Sequence, residues 1–197
     1  MTRPLILASS SPYRKELLAR LRLPFEAISP DIDESPRAGE APHELARRLA
    51  REKAEAVARQ RPGAVVVGSD QVAICNGQLL GKPGTFERAF AQLRLMAGQT
   101  AEFWTAVAVT DGTRTLVAES TTRCVLRPLT DAEIDSYLRA DLPLDTAGSA
   151  KVESLGIVLM ERIDSDDPTA LIGLPLITVT RLLTEFGINP LVPQAHP

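Results

Sequence analysis

Cysteine and histidine are nearly missing from this chain. Only Cys75 and Cys124 occur, far apart and with no CxxC, and the histidines are His43 and His196 alone. That scarcity excludes a disulfide framework and a clustered thiol–imidazole zinc site, so the cysteines read as two core or edge thiols. His43 opens a predicted helix and His196 lies in the tail, which leaves little for a histidine-based triad. There is no GxxxxGK[ST], no GxGxxG after a strand and no GxSxG, so a P-loop, a dinucleotide fingerprint and a nucleophile elbow are also excluded. No apolar run approaches ~18 residues, and the N-terminal one is too short for a signal peptide or a span. The expectation is a cytoplasmic protein with no membrane partner. A net charge of −3 offers no basic footprint for a nucleic-acid backbone, although a local positive pocket would suffice for a free nucleotide.

What is present fits one α/β domain. The 197 residues are 44% hydrophobic and 24% charged, enough for a real core. Leu5–Ala8 reads as a short buried strand. Ser11 as N-cap and Pro12 at the first helical position then start a helix to about Leu21. Phe25–Ile28 reads as a strand, Pro30–Glu40 as an acidic loop, and Pro42 opens a longer helix to about Arg59. Ala64–Val67 reads as an interior strand ending in Gly68-Ser69-Asp70. Asn76-Gly77 and Asp111-Gly112 are hairpin signals between Gln71–Cys75 and Gln78–Leu80, and between Ala101–Thr110 and Thr115–Leu126. Thr85 caps a helix to Met96, Thr130–Glu133 is a capping box for one to Arg139, and Pro175–Phe186 is the last, closed by Gly187. The hairpins make the sheet mixed, a twisted sheet flanked by helices.

Four groups of residues carry candidate chemistry. Ser9-Ser10-Ser11 at a strand-to-helix junction offers hydroxyls and free backbone N–H groups, and Arg14 and Lys15 stand at the helix end that suits an anion rather than a cation. The plainer reading is a serine turn with solvated basic residues. Asp70 follows a buried strand, at the sheet edge where open α/β folds place ligands, though such an Asp is often only a turn former. Lys53 and Lys82 are the nearby cations, each readable as a solvated surface lysine. The cluster Asp31-Ile32-Asp33-Glu34 supplies hard oxygen donors for Mg²⁺ or Mn²⁺, or is a solvated loop. With so little histidine and cysteine, the inventory of carboxylates, lysines, arginine and hydroxyls suits phosphoanhydride chemistry.

Six motifs fall in order: LILASSSPYRKELL, DIDES, AREKAEAVA, VVVGSDQV, GKP and TAGSAKVESLGI. Together they resemble the Maf-like nucleoside triphosphate pyrophosphatases from Leu5 to about Pro190. Within that family the chain is most similar to the 7-methyl-GTP pyrophosphatase branch. GSDQV has Gln71 where the pyrimidine branch has Thr, AKVES has Glu153 where it has Gln, and Tyr13 stands where it has Arg. Tyr13 departs from the Trp often found in the 7-methyl-GTP branch but keeps an aromatic ring.

The resemblance implies a Maf/ITPase-like fold of two lobes with a cleft between them, a single domain over 1–190 with a short flexible tail at 191–197, and a homodimer. It implies hydrolysis of a nucleoside triphosphate to monophosphate and pyrophosphate with a divalent metal cation. Asp70 becomes the proton acceptor and a metal contact, and Glu34 a second carboxylate on the metal. Ser9, Ser10, Arg14, Lys53 and Lys82 would hold the triphosphate, and Tyr13, Gln71 and Glu153 would select the base. Two other readings compete. A haloacid-dehalogenase-type phosphatase would use Asp31 and Asp33 as its DxD, but Ser29-Pro30 separates them from the strand. A non-catalytic nucleotide-binding regulator of cell division would not require Asp70, Lys53 and Lys82 together.

Overall fold

The computed structural model describes residues 3–192, so His196 and positions 193–197 of the expected tail lie outside the described residues. The elements are β1 (Leu5–Ala8), α1 (Pro12–Ala19), β2 (Glu26–Ile28), α2 (Pro42–Gln60), β3 (Val65–Cys75), β4 (Gln78–Leu80), α3 (Phe86–Met96), β5 (Thr100–Thr110), β6 (Thr115–Leu126), α4 (Asp131–Asp141), β7 (Met160–Ser165) and α5 (Leu176–Glu185). The strands pair in the order β2-β1-β3-β5-β6-β7, with β4 alongside β3. β1 is parallel to both β2 and β3, whereas β3–β4 and β6–β7 are antiparallel. The mixed sheet read from the two hairpins is therefore the sheet observed.

The chain forms two compact units. One gathers the described residues up to Asp70, Thr105–Ser120 and those from Asp167 onward; the other comprises Gln71–Trp104 and Thr121–Asp166. In the first unit every residue of β1 is buried, as expected of an interior parallel strand covered on both faces. Alternation sends Leu5, Leu7, Val65 and Val67 into one core with Leu17 and Leu18 of α1 and Val179, Leu182 and Leu183 of α5. α2 covers the opposite face. There Gly68 is in such close approach that a Cβ would stand 2.7 Å from the Ala54 nitrogen.

In the second unit Leu93 and Met96 of α3 and Ile134 and Leu138 of α4 are buried, together with Phe103, Cys124 and Leu126 of the strands. Both cysteines are free, buried thiols.

Local signals hold at the helix starts. Ser11 Oγ accepts the Arg14 N–H at 3.4 Å, Thr85 Oγ1 the Arg88 N–H at 3.3 Å, and Thr130 with Glu133 forms the expected capping box. Asn76 and Gly77 both take positive φ, 49° and 76°, as a two-residue hairpin turn requires. α1 stops at Ala19 rather than Leu21, and α5 runs from Leu176 to Glu185, one residue shorter than expected at each end.

A larger correction concerns β3. It does not end at Gly68-Ser69-Asp70 but continues unbroken to Cys75, because those residues stay in extended pairing. Its partner β1 does stop, with Ala8 opposite Gly68. Asp70 therefore lies inside a strand, two residues past the end of its neighbour. β7 was not anticipated: MERIDS is mostly exposed and lacks the apolar alternation that marks a half-buried strand.

Candidate active site

The first unit brings four of the expected site residues together. Lys53, in the middle of α2 and only 5% exposed, places its Nζ 2.7 Å from Asp70 Oδ1 and 2.8 Å from Glu34 Oε2. A lysine this buried needs carboxylate partners, since burial of an unpaired ammonium is costly. α2 reaches this depth because Ala50 and Ala54 lie against the bare backbone of Gly68, drawing the helix close to β3. Asp70 is itself buried, and Glu34 reaches in from an exposed loop. The two carboxylates thus converge on one cation-sized point.

Arg14 is the fourth member. Burial pushes its guanidinium below the usual arginine range, and the negative charges of Asp70 and Glu34 pull it back up. An arginine stays protonated under such pressure, so the net result is a fixed positive charge near two carboxylates. Its Nε donates to the Gly173 carbonyl at 2.9 Å. At the start of α1, Ser9 is buried and its Oγ accepts the Ser11 N–H at 3.1 Å, while Ser10 is exposed. Tyr13 is half-buried in the first turn of the same helix.

The remaining expected residues belong to the second unit. Gln71 is half-buried on β3, directly after Asp70, and Lys82 is exposed just past β4. Glu153 is exposed as a residue, yet desolvation raises its carboxyl above the ordinary value; Lys151 opposes the rise, and Asp141 and Asp145 add to it. Its loop is tied to α4, where Tyr137 Oη accepts the Lys151 N–H at 3.0 Å and Asp141 Oδ1 the Ser154 hydroxyl at 2.6 Å.

Of the acidic loop, only Glu34 is bonded to Lys53. Asp33 is a turn former, its Oδ1 accepting the Ser35 N–H at 2.9 Å; hydrogen bonds from the Ser35 hydroxyl and then this N–H lower its pKa, and Asp31 is exposed. This geometry does not suit a DxD phosphatase. Among the described residues there is no cluster of three or more His, Cys, Asp or Glu arranged to hold a metal. Asp70 and Glu34 nevertheless fit a hard divalent cation, which in nucleotide enzymes commonly takes one or two carboxylates and fills its shell with phosphate oxygens and waters.

The Maf-like protein model matches residues 4–186, almost the whole length. This chain belongs to the Maf-like family. It is 63% identical over 193 residues to the 7-methyl-GTP pyrophosphatase of Bordetella pertussis, covering 98% of this chain and 96% of that one. It is 64% identical over 187 residues to the 7-methyl-GTP pyrophosphatase of Bordetella avium, covering 95% of each. A HAM1 protein from Coxiella burnetii shares the fold, with a TM-score of 0.51, 16% identity, and coverage of 93% of this chain and 100% of that one. Maf-like nucleotide pyrophosphatases are in general metal-dependent. Among the described residues no helix is long and apolar enough to cross a membrane.

Sequence reasoning missed the segment Asp167–Gly173, which supplies the carbonyl that holds Arg14. The available signal was Asp167-Pro168-Thr169 ahead of a helix, a pattern that favours side-chain-to-backbone turns.

Proposed function

We propose that this Maf-like protein is a cytoplasmic hydrolase that cleaves 7-methyl-GTP between its α- and β-phosphates, giving 7-methyl-GMP and pyrophosphate. The observation that carries this reading is the buried Lys53 ammonium shared by Asp70 and Glu34, in a chain so close to proteins named for that activity. Asp70 and Glu34 would hold a Mg²⁺ or Mn²⁺ ion, which when bound supplies charge neutralisation on the phosphate oxygens.

The protein's own groups do the rest. Asp70 orients the attacking water and takes its proton. Lys53, Arg14 and Lys82, with the hydroxyls of Ser9 and Ser10, stabilise the charge that gathers on the departing pyrophosphate; phosphoryl chemistry depends largely on such positioning and neutralisation. Tyr13, Gln71 and Glu153 select the base. Methylation at N7 makes the guanine ring cationic, so an aromatic face such as Tyr13 attracts it by roughly 0.5–2 kcal/mol. A negative Glu153 beside the base favours the same choice, because its charge attracts a cationic ring. A homodimer, which the family resemblance implies, is part of this proposal.

The test follows 7-methyl-GTP, GTP and UTP with a divalent cation in ¹⁸O-labelled water. We expect pyrophosphate and a monophosphate as primary products, loss of turnover with chelator, and the highest kcat/KM for 7-methyl-GTP. In Glu153→Gln that preference shrinks. Orthophosphate as the primary product would overturn the reaction, and an equal drop on all three substrates would remove Glu153 from base selection.

A further inference from the structure

Asp167 is only 2% exposed, so its carboxylate must be satisfied inside the protein. Its Oδ2 accepts the N–H groups of Ile177 at 2.8 Å and Thr178 at 3.3 Å, in the first turn of α5. That helix has no side-chain cap from its own N-cap residue, Pro175, and no acid in its first turn. A buried carboxylate from ten residues upstream does the capping instead, where the helix dipole favours negative charge.

The other oxygen, Oδ1, accepts the Thr169 N–H at 3.1 Å and the Thr169 hydroxyl at 2.8 Å. Thr169 Oγ1 in turn accepts the Leu176 N–H at 2.8 Å. Asp167 and Thr169 therefore stitch the segment between them and α5 into one conformation.

Two carbonyls of that segment receive side chains from other elements, one of them a site residue. Ala170 O accepts the Thr105 hydroxyl at 2.9 Å. Gly173 O receives the Arg14 Nε–H at 2.9 Å and lies 3.0 Å from Ser69 Oγ, whose single hydroxyl proton is nearer the Ala106 carbonyl at 2.8 Å. Ser69 immediately precedes Asp70. Gly173 has φ of +117°, a conformation that glycine adopts without strain and that side-chain-bearing residues rarely do.

We propose that Asp167 is a positioning residue of the hydrolytic site: by fixing the Gly173 carbonyl it aims the Arg14 guanidinium. The catalytic consequence rests on the function proposed above; the positioning itself does not. Anchored through Nε, Arg14 can turn its terminal nitrogens to phosphate without a search over rotamers, and small errors in such placement are costly in rate.

The experiment is a double-mutant cycle on 7-methyl-GTP turnover with Asp167→Asn and Arg14→Lys, the latter lacking the Nε–H. Asp167→Asn is expected to lower kcat/KM at least tenfold in a folded protein. Added to Arg14→Lys it should cause no further loss, since its effect passes through Arg14. Losses that multiply would overturn the proposal. A second measurement needs no turnover: solvent exchange of the Arg14 Nε–H, assigned by its absence in Arg14→Lys. It should quicken at least tenfold in Asp167→Asn while amide protection in β1 and β3 holds. Unchanged Nε–H exchange would overturn the proposal, and a wild type inert on triphosphates would instead sink the proposed function alone. Should Asp167→Asn not fold, Thr169→Val removes the hydroxyl that joins Asp167 to the Leu176 N–H while leaving the carboxylate's own bonds to α5, and Nε–H exchange is expected to quicken in the same direction.

Discussion

Asp70 shows how much a single side chain depends on its partners. Its carboxylate is buried and bonded to an equally buried lysine, so its charge is compensated before any substrate arrives. Asp70→Asn keeps the shape but removes the charge and the proton acceptor. We expect kcat to fall at least about a hundredfold, the range attributed to general base catalysis. Lys53 then retains Glu34 alone, a mostly exposed partner, so the melting temperature should fall as well. Turnover and thermal melting, measured together with circular dichroism, check both; a folded variant with near-normal turnover would remove Asp70 from the chemistry. The sequence marked Asp70, Lys53 and Glu34 as residue types suited to phosphoanhydride chemistry. It did not show that one ammonium joins them, because 17 and 19 residues separate the bonded pairs.

At the scale of elements, the contact between α2 and β3 sets the depth of the site. Gly68 read as part of a strand-ending turn; it is instead a strand-interior glycine, placed where another backbone comes close. Gly68→Ala would put a methyl group 2.7 Å from the Ala54 nitrogen, against backbone that has no rotamer to yield. Overpacking of this kind costs about 1–3 kcal/mol. Because α2 carries Lys53 and β3 carries Asp70, the shift that relieves the clash should also slow turnover. A melting curve and an assay on the same preparation test this, and an unchanged melting temperature would show that the helix is not pinned at Gly68. Helix starts and hairpins were legible because each follows from chemistry within four residues. β7 was not: its pairing comes from β6, and its own residues are mostly exposed.

For the whole molecule, ionisation sets the pH range of stability. Glu40 accepts from Arg48 at 2.6 and 2.9 Å and from the Arg37 N–H, which holds its carboxyl at about 2 against an ordinary 4.5. Hydrogen bonds likewise depress Asp33, Asp111, Glu133 and Asp135. A carboxyl depressed by folding stabilises the native state above its unfolded pKa, and that contribution is lost as pH falls through the folded value. Stability should therefore decline from about pH 4.5 toward 2. Burial pushes Cys124 up to about 12 from 9.0 and also raises Tyr137, so the unfolded chain gives up those protons first and stability declines again above about pH 9. Melting temperatures from pH 2 to 11 should trace a plateau with both shoulders, and a curve still flat at pH 2.5 would refute the acid limb.

The sequence by itself determined the mixed α/β class, the helix caps, the hairpin turns, the family and the residue types available for chemistry. These depend on short-range stereochemistry or on ordered motifs that survive without coordinates. Only the tertiary structure decided that β3 runs on past Asp70, that Lys53 stands between two carboxylates, and that Arg14 hangs from a carbonyl 159 residues away. Each of those results needs segments far apart in the chain to be packed against one another. Burial then makes an unpaired charge too costly to leave, and no local pattern says which partner will meet it.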